Sequence, residues 1–148
     1  MSDEPAGGRP PRVLALDRGE VRVGVAISDE LGLLAHPRPA LDGRRAREMF
    51  EALQALCAEE GVERVLVGYP LDLQGEEGAA ARRAVRFAEE VARVTGLTVE
   101  LVDERMTTVI AARSLREAGV SKRASKHKVD GAAAAHLLQG WLDAHRKR

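Results

Sequence analysis

Residues Val13 to Asp29 read VLALDRGEVRVGVAISD. An apolar run, VLAL, delivers a lone aspartate, Asp17, and a β-branched run leaves from Val21. The connection Arg18-Gly19-Glu20 has room only for a hairpin, with Gly19 free to take positive φ. The chain therefore opens on an antiparallel pair whose first strand reads as buried on both faces. A carboxylate at the end of such a strand is costly unless a cation, a hydrogen-bond network or a metal compensates it.

The pattern beyond the hairpin completes a fold class. Leu33 to Leu41 reads as a third strand, pushed to a sheet edge by Pro37 and Pro39. Arg45 to Glu60 then carries Met49, Phe50, Leu53, Leu56 and Cys57 at helical spacing and stops at Gly61. Val62 to Val67 is a strand, followed by the loop GYPLDLQG and an amphipathic helix from Glu76 to Val94 with Gly96 as its stop. Leu97 to Val102 is the last strand and runs into Asp103-Glu104-Arg105. Thr107 caps a helix to about Glu117, GVSKRASKHK is a basic loop, and Val129 to His145 is the final helix.

The order is βββαβαβαα. Strands joined through helices run parallel with right-handed crossovers, whereas the front strands are antiparallel. The expected fold is α/β, a mixed five-stranded sheet flanked by helices. At 148 residues the chain suits one domain, here 12–148, behind a polar Pro- and Gly-rich tail, 1–11, expected to be disordered.

Formal net charge is zero, which excludes a uniformly basic nucleic-acid binder but not a local patch. The single cysteine, Cys57, allows no intrachain disulfide and reads as a packed thiol. No apolar run approaches the roughly 20 residues needed to span a bilayer, so no membrane association is expected. No signal-peptide pattern opens the sequence, and the expected compartment is the cytoplasm.

Acidic residues mark the expected site. Asp17 ends the first strand, Asp103 and Glu104 end the last, and Asp130 stands in the first turn of the final helix. Strand C-termini in an open α/β sheet converge on one edge, where ligands bind. A cluster of carboxylate oxygens there suits hard divalent cations such as magnesium. Two such ions can clamp the attacking and leaving oxygens of a phosphodiester. Each acid also has a plainer reading. Asp130 can serve the helix N-terminus, Asp103 and Glu104 a solvated strand end, and Asp17 a pairing with Arg18 or Arg22.

Positive residues outnumber negative ones around Arg113, Arg116, Lys122, Arg123, Lys126 and Lys128, a pattern suited to phosphates. Thr107 and Thr108 offer hydroxyls to phosphate or carboxylate oxygens. Aromatic residues make up 3% of the chain, too few for base-stacking platforms, so shape and backbone recognition is expected. The histidines show no zinc-type spacing with cysteine. Trp141 shares helical spacing with Leu137 and Leu138 and reads as core or interface packing.

Four segments, LALDRGEVRVGVAISD, VLVGYPLDLQG, VELVDERMTT and KHKVDGAAAAHLLQGWLD, occur in an order that resembles the YqgF family, also called RuvX, of RNase H-like nucleases. The resemblance runs from about Arg12 to Leu142. It implies an RNase H-like sheet and a metal-dependent nuclease. The implied substrate is the 5′ region of precursor 16S rRNA or, by relation to RuvC, a four-way DNA junction. The family's first-strand aspartate falls on Asp17, its Asp-Glu-Arg motif on Asp103, Glu104 and Arg105, and its helix aspartate on Asp130. Gly68 and Pro70 match the loop of its fourth strand. Arg18 and Glu20-Val21 depart from the usual pattern.

The resemblance makes Asp17 the central metal ligand, with Asp130 and Glu104 completing a site for two magnesium or manganese ions. Asp103 is the rival to Glu104. Arg105 is expected to steady the acids or a phosphate. Structured RNA, branched DNA or both are the implied partners, and symmetric junction cleavage would require a homodimer rather than a monomer. Two other classes compete. A non-catalytic rRNA-binding assembly factor would use the same surface. An ATPase of the actin and sugar-kinase type shares the opening hairpin but needs two such lobes.

Overall fold

The computed structural model describes residues 8–70, 75–104 and 129–146, without the side chains of residues 129 and 130. Five strands form one sheet in the order β3-β2-β1-β4-β5. They are β1 (Arg12–Arg18), β2 (Arg22–Ser28), β3 (Ala35–Asp42), β4 (Val62–Tyr69) and β5 (Thr98–Asp103). β1 pairs antiparallel with β2, and β2 with β3. β4 lies parallel to β1 on one side and to β5 on the other. The mixed sheet and the edge position of the proline-bearing β3 agree with the sequence. The helix expected from Thr107 to Glu117, the basic loop after it and residues 1–7 of the expected tail lie outside the described residues.

Side-chain alternation along the strands sorts the core into two unequal layers. Leu14, Leu16, Val65 and Val67 face helices α1 (Ala46–Glu60) and α2 (Ala79–Thr95), where Met49, Leu53, Phe87 and Val91 complete a bulky core. Val13, Ala15, Ala26 and Leu66 face helix α3 (Val129–Ala144), which contributes Ala134, Ala135, Leu137 and Leu138. Small residues on both sides let α3 sit close to the sheet. A Cβ at Gly131 would lie 3.0 Å from the Val25 carbonyl oxygen and 3.1 Å from that of Arg38. The run DGAAAA thus lets the start of α3 press against the backbone of β2 and β3.

A buried amide fixes the other half of α3. The Ala35 backbone N–H donates to Gln139 Oε1 at 2.9 Å, and Gln139 Nε2 donates to the Leu33 carbonyl at 2.9 Å. Burying an amide without such partners would cost several kcal/mol, of order 2–7, so this geometry selects one docked position. Gln139 is nine residues, about 13 Å of helix, beyond Asp130. The pin and the close approach at Gly131 together set where α3 begins relative to the sheet.

The expected helix stops are present. Gly61 and Gly96 end α1 and α2 in the left-handed conformation, with φ 64° and 70°. Gly19 is a correction, because it is absent from the glycines with positive φ. Its N–H donates to the Arg22 carbonyl at 2.8 Å, and a Cβ there would stand 2.9 Å from that oxygen. The turn needs glycine for lack of space rather than for a left-handed backbone.

Candidate active site

The C-terminal ends of β1, β4 and β5 share one edge of the sheet, because those strands are parallel neighbours. Alternation decides what each strand shows there. Val13 and Ala15 belong to the α3-facing layer, so Asp17 continues onto that face. Leu14 and Leu16 belong to the opposite layer, so Arg18 continues toward α2 and lies over the Phe87 ring, 5.7 Å from its centroid. Asp17 and Arg18 are therefore separated by the sheet itself, which removes Arg18 as the partner of the buried-strand carboxylate.

The same period operates on β5. Leu101 and Val99 pack on the α1–α2 layer, whereas Val102 faces α3. Glu104, two residues beyond Val102, returns to the α3 face, and its carboxyl shares a hydrogen bond with Asp17. Gly68 of β4 makes room for it. A Cβ at that glycine would stand 2.6 Å from Glu104 Oε1 and 3.3 Å from its Cγ. The neighbouring Tyr69 hydroxyl donates to Glu77, tying the end of β4 to the approach to α2.

Asp17 and Glu104 border a cleft of about 300 Å³ whose other wall is Ala133, His136 and Leu137 of α3. The Glu104 carboxyl is pushed up to about 7. Burial is the first cause, then the hydrogen bond with Asp17, then the negative charges of Asp17 and Asp103. Two acids held this closely need one positive charge between them. Without a cation, Glu104 therefore keeps its proton to a higher pH than an ordinary carboxyl. The donor set is hard and anionic, and replacing the proton with a divalent ion would satisfy both carboxylates. The pair therefore fits the implied metal.

Among the described residues no group of three or more His, Cys, Asp or Glu side chains forms a metal cage. The backbone of Asp130 opens α3 one turn before Ala133, but its side chain lies outside the described residues. So do Arg105, Thr107, Thr108, Arg113, Arg116, Lys122, Arg123, Lys126 and Lys128. Asp103 ends β5 paired in register with Tyr69 and falls opposite to Glu104 in the alternation. His136 is the cleft residue that sequence spacing did not single out. Its only signal was its place six residues after Asp130, in a helix otherwise built of Ala and Leu there.

A family model described as RuvX, Holliday junction resolvase, matches residues 11–144. This chain belongs to the RuvX family. Among its RuvX relatives, a protein of Myxococcus xanthus (strain DK1622) called "Putative pre-16S rRNA nuclease" is 42% identical over 91% of this chain and 89% of its own length. One of the same name from Anaeromyxobacter sp. (strain Fw109-5) is 45% identical over 89% of this chain and 96% of its own. Among solved structures, T. thermophilus RuvC in complex with a Holliday junction substrate superposes with a TM-score of 0.56. That match has 17% identity and covers 92% of this chain and 97% of RuvC. The RuvC likeness shows a shared fold, and the fold of this RuvX chain is RNase H-like.

Among the described residues, no helix of this RuvX chain is long and apolar enough to cross a membrane. Cys57 is buried and burial pushes its thiol up to about 11, as a packed, unreactive side chain requires. Trp141 packs against the α3-side core, donates from Nε1 to Glu100 at 2.9 Å and stacks on His145 at 4.0 Å. Both residues do the structural duty that their sequence context indicated.

Proposed function

We propose that this chain is a divalent-metal-dependent nuclease that hydrolyses phosphodiesters of structured nucleic acid and processes the 5′ end of precursor 16S rRNA in the cytoplasm. One observation carries the reading. Two acids from strands far apart in sequence, Asp17 and Glu104, share a hydrogen bond at the mouth of a cleft. Perturbed acids set together in a cleft are characteristic of sites that hold charge. The names of the RuvX relatives supply the substrate.

Asp17 and Glu104 would hold the metal, with Asp130 contributing from the start of α3. Bound there, magnesium or manganese supplies Lewis-acid activation of a water and neutralises charge developing on the phosphate. The rest of the work belongs to the protein. β1 and β5 hold the two carboxylates in a fixed relation, and Gly68 leaves the space in which Glu104 lies. Ala133, His136 and Leu137 shape the opposite wall, so the scissile linkage enters from the open edge of the sheet. The basic stretch Arg113 to Lys128 would hold the flanking phosphates, together with Arg105 and Thr107. In-line attack with loss of the 3′-oxygen leaves a 5′-phosphate.

The family description favours a second reading, resolution of four-way DNA junctions by a dimer. One experiment separates the alternatives. Precursor 16S fragments and synthetic four-way junctions are incubated with wild type and with Asp17→Asn, with magnesium or manganese, and the ends are mapped. Cleavage of the RNA at its 5′ region by wild type alone, leaving 5′-phosphates, is the expected result. Paired, symmetric cuts in the junction would favour resolution instead. RNA bound equally by both proteins and cut by neither would leave only an assembly factor.

A further inference from the structure

Exposed arginines gather on the α2 side of the sheet edge. Arg83 and Arg86 are exposed in the first two turns of α2, and no acidic residue accompanies them in the first turn. Positive charge in the first turn opposes the helix dipole, which bears on Arg82 and fades before Arg83 and Arg86. Arg82 and Arg86 stand at like-charged i,i+4 spacing, which also destabilises. Arg82 spends a donor on the Glu77 carbonyl, at 3.3 Å. Arg83 and Arg86 have no ion-pair partner among the described residues. Later in the same helix the pattern is conventional, since Arg93 in the last turn pairs with Glu90.

The fold brings a third cation to this group. Arg18 follows the candidate catalytic Asp17 directly, crosses to the other face of the sheet and lies over Phe87. Phe87 is one turn beyond Arg83 on the same helix face. The contact covers a buried ring and holds the guanidinium of an otherwise exposed arginine against α2.

We propose that Arg18, Arg83 and Arg86 form a phosphate-binding surface that grips the nucleic-acid backbone beside the cleavage cleft, on the sheet face opposite α3. The surface rests on the nuclease reading for its substrate and adds a second grip to it. α2 begins where β4 ends, at the same edge as Asp17 and Glu104. A strand whose scissile linkage enters the α3-side cleft therefore passes over this edge, and its flanking phosphates meet the three arginines. Guanidinium groups suit that task, because each presents several donors in a planar fork to phosphate oxygens. Such contacts position the backbone without reading its sequence.

The test is Arg83→Gln with Arg86→Gln in the full chain, beside Arg93→Gln as a surface control. The probe is a precursor 16S fragment. Binding is measured between 50 and 300 mM salt in the Asp17→Asn background, and cleavage in the Asp17 background. Loss of two phosphate contacts lowers the slope of log affinity against log salt by about 1.4 on single strands and about 1.8 on duplex. Cleavage by the double variant shows a higher KM with kcat retained, and thermal stability is equal to or above that of wild type. Arg93→Gln changes neither the slope nor KM. An unchanged slope and KM in the double variant, while wild type still cuts, overturns the surface and leaves the nuclease reading intact. Binding whose slope falls as stated, with no cleavage by wild type, supports the surface and removes the nuclease reading. A double variant that loses stability in step with binding assigns the arginines a structural role and overturns the proposal.

Discussion

Replacing Glu104 with glutamine keeps the shape of the acid pair and removes one titrating group. The Glu104 carboxyl lies at about 7 in the fold, against an ordinary 4.5. Between those values the folded chain holds a proton that the unfolded chain has released. Stability therefore falls as pH rises from about 4.5 to 7, and the loss remains at higher pH. A shift of that size is worth ~3 kcal/mol at full value. Glu104 is only about half buried, and solvent screening brings the contribution to about 1–2 kcal/mol. In metal-free buffer with chelator, Glu104→Gln should then exceed wild type in Tm by about 3–6 °C at pH 8 for a chain of this length. The gap should close by pH 4.5. Thermal unfolding followed by circular dichroism across that range reads both numbers. Magnesium or manganese should raise the Tm of wild type at pH 8 and leave the variant nearly unmoved. A gap that is the same at both pH values, or a variant less stable than wild type at pH 8, would refute the idea that burial of Glu104, with its hydrogen bond to Asp17 and the nearby negative charge, governs the slope.

Other expectations follow from single contacts. Gly68→Ala puts a methyl 2.6 Å from Glu104 Oε1, so the carboxylate must move. Cleavage should fall ~100-fold while urea unfolding changes little, because only a side-chain tip is displaced. Gly131→Ala meets two backbone carbonyl oxygens and Pro37 Cβ within 3.1 Å, none of which can yield cheaply. It should destabilise by about 1–3 kcal/mol in urea titrations, and a stabilised variant would show that α3 has room to spare. Cys57, with its thiol pushed up to about 11 by burial, should resist an aromatic disulfide reagent at pH 8 and react fully once urea unfolds the chain.

The sequence determined the sheet and its two-sided character. Hydrophobic period, glycine stops and paired prolines placed every described strand and helix to within three residues, since each element must bury one face and these patterns say which. It also named the strand-end acids. Local pattern left open which acids meet and what their neighbours do. Asp103 and Glu104 are adjacent in the chain, as are Asp17 and Arg18, and adjacency in a strand means opposite faces. Only the parallel pairing of β1, β4 and β5 shows that Asp17, Gly68 and Glu104 stack on one side while Arg18 turns to Phe87 on the other. Gly19 was legible as a turn residue, but the reason, a carbonyl 2.9 Å from where its Cβ would be, belongs to the hairpin's register. His136 had only its place after Asp130 in an Ala- and Leu-rich helix to mark it, because a cleft wall is assembled from helix and sheet together. Periodicity is a property of neighbours along the chain and survives in the one-dimensional record. The electrostatics of the site is a property of neighbours through space and exists only once strands far apart in sequence have paired.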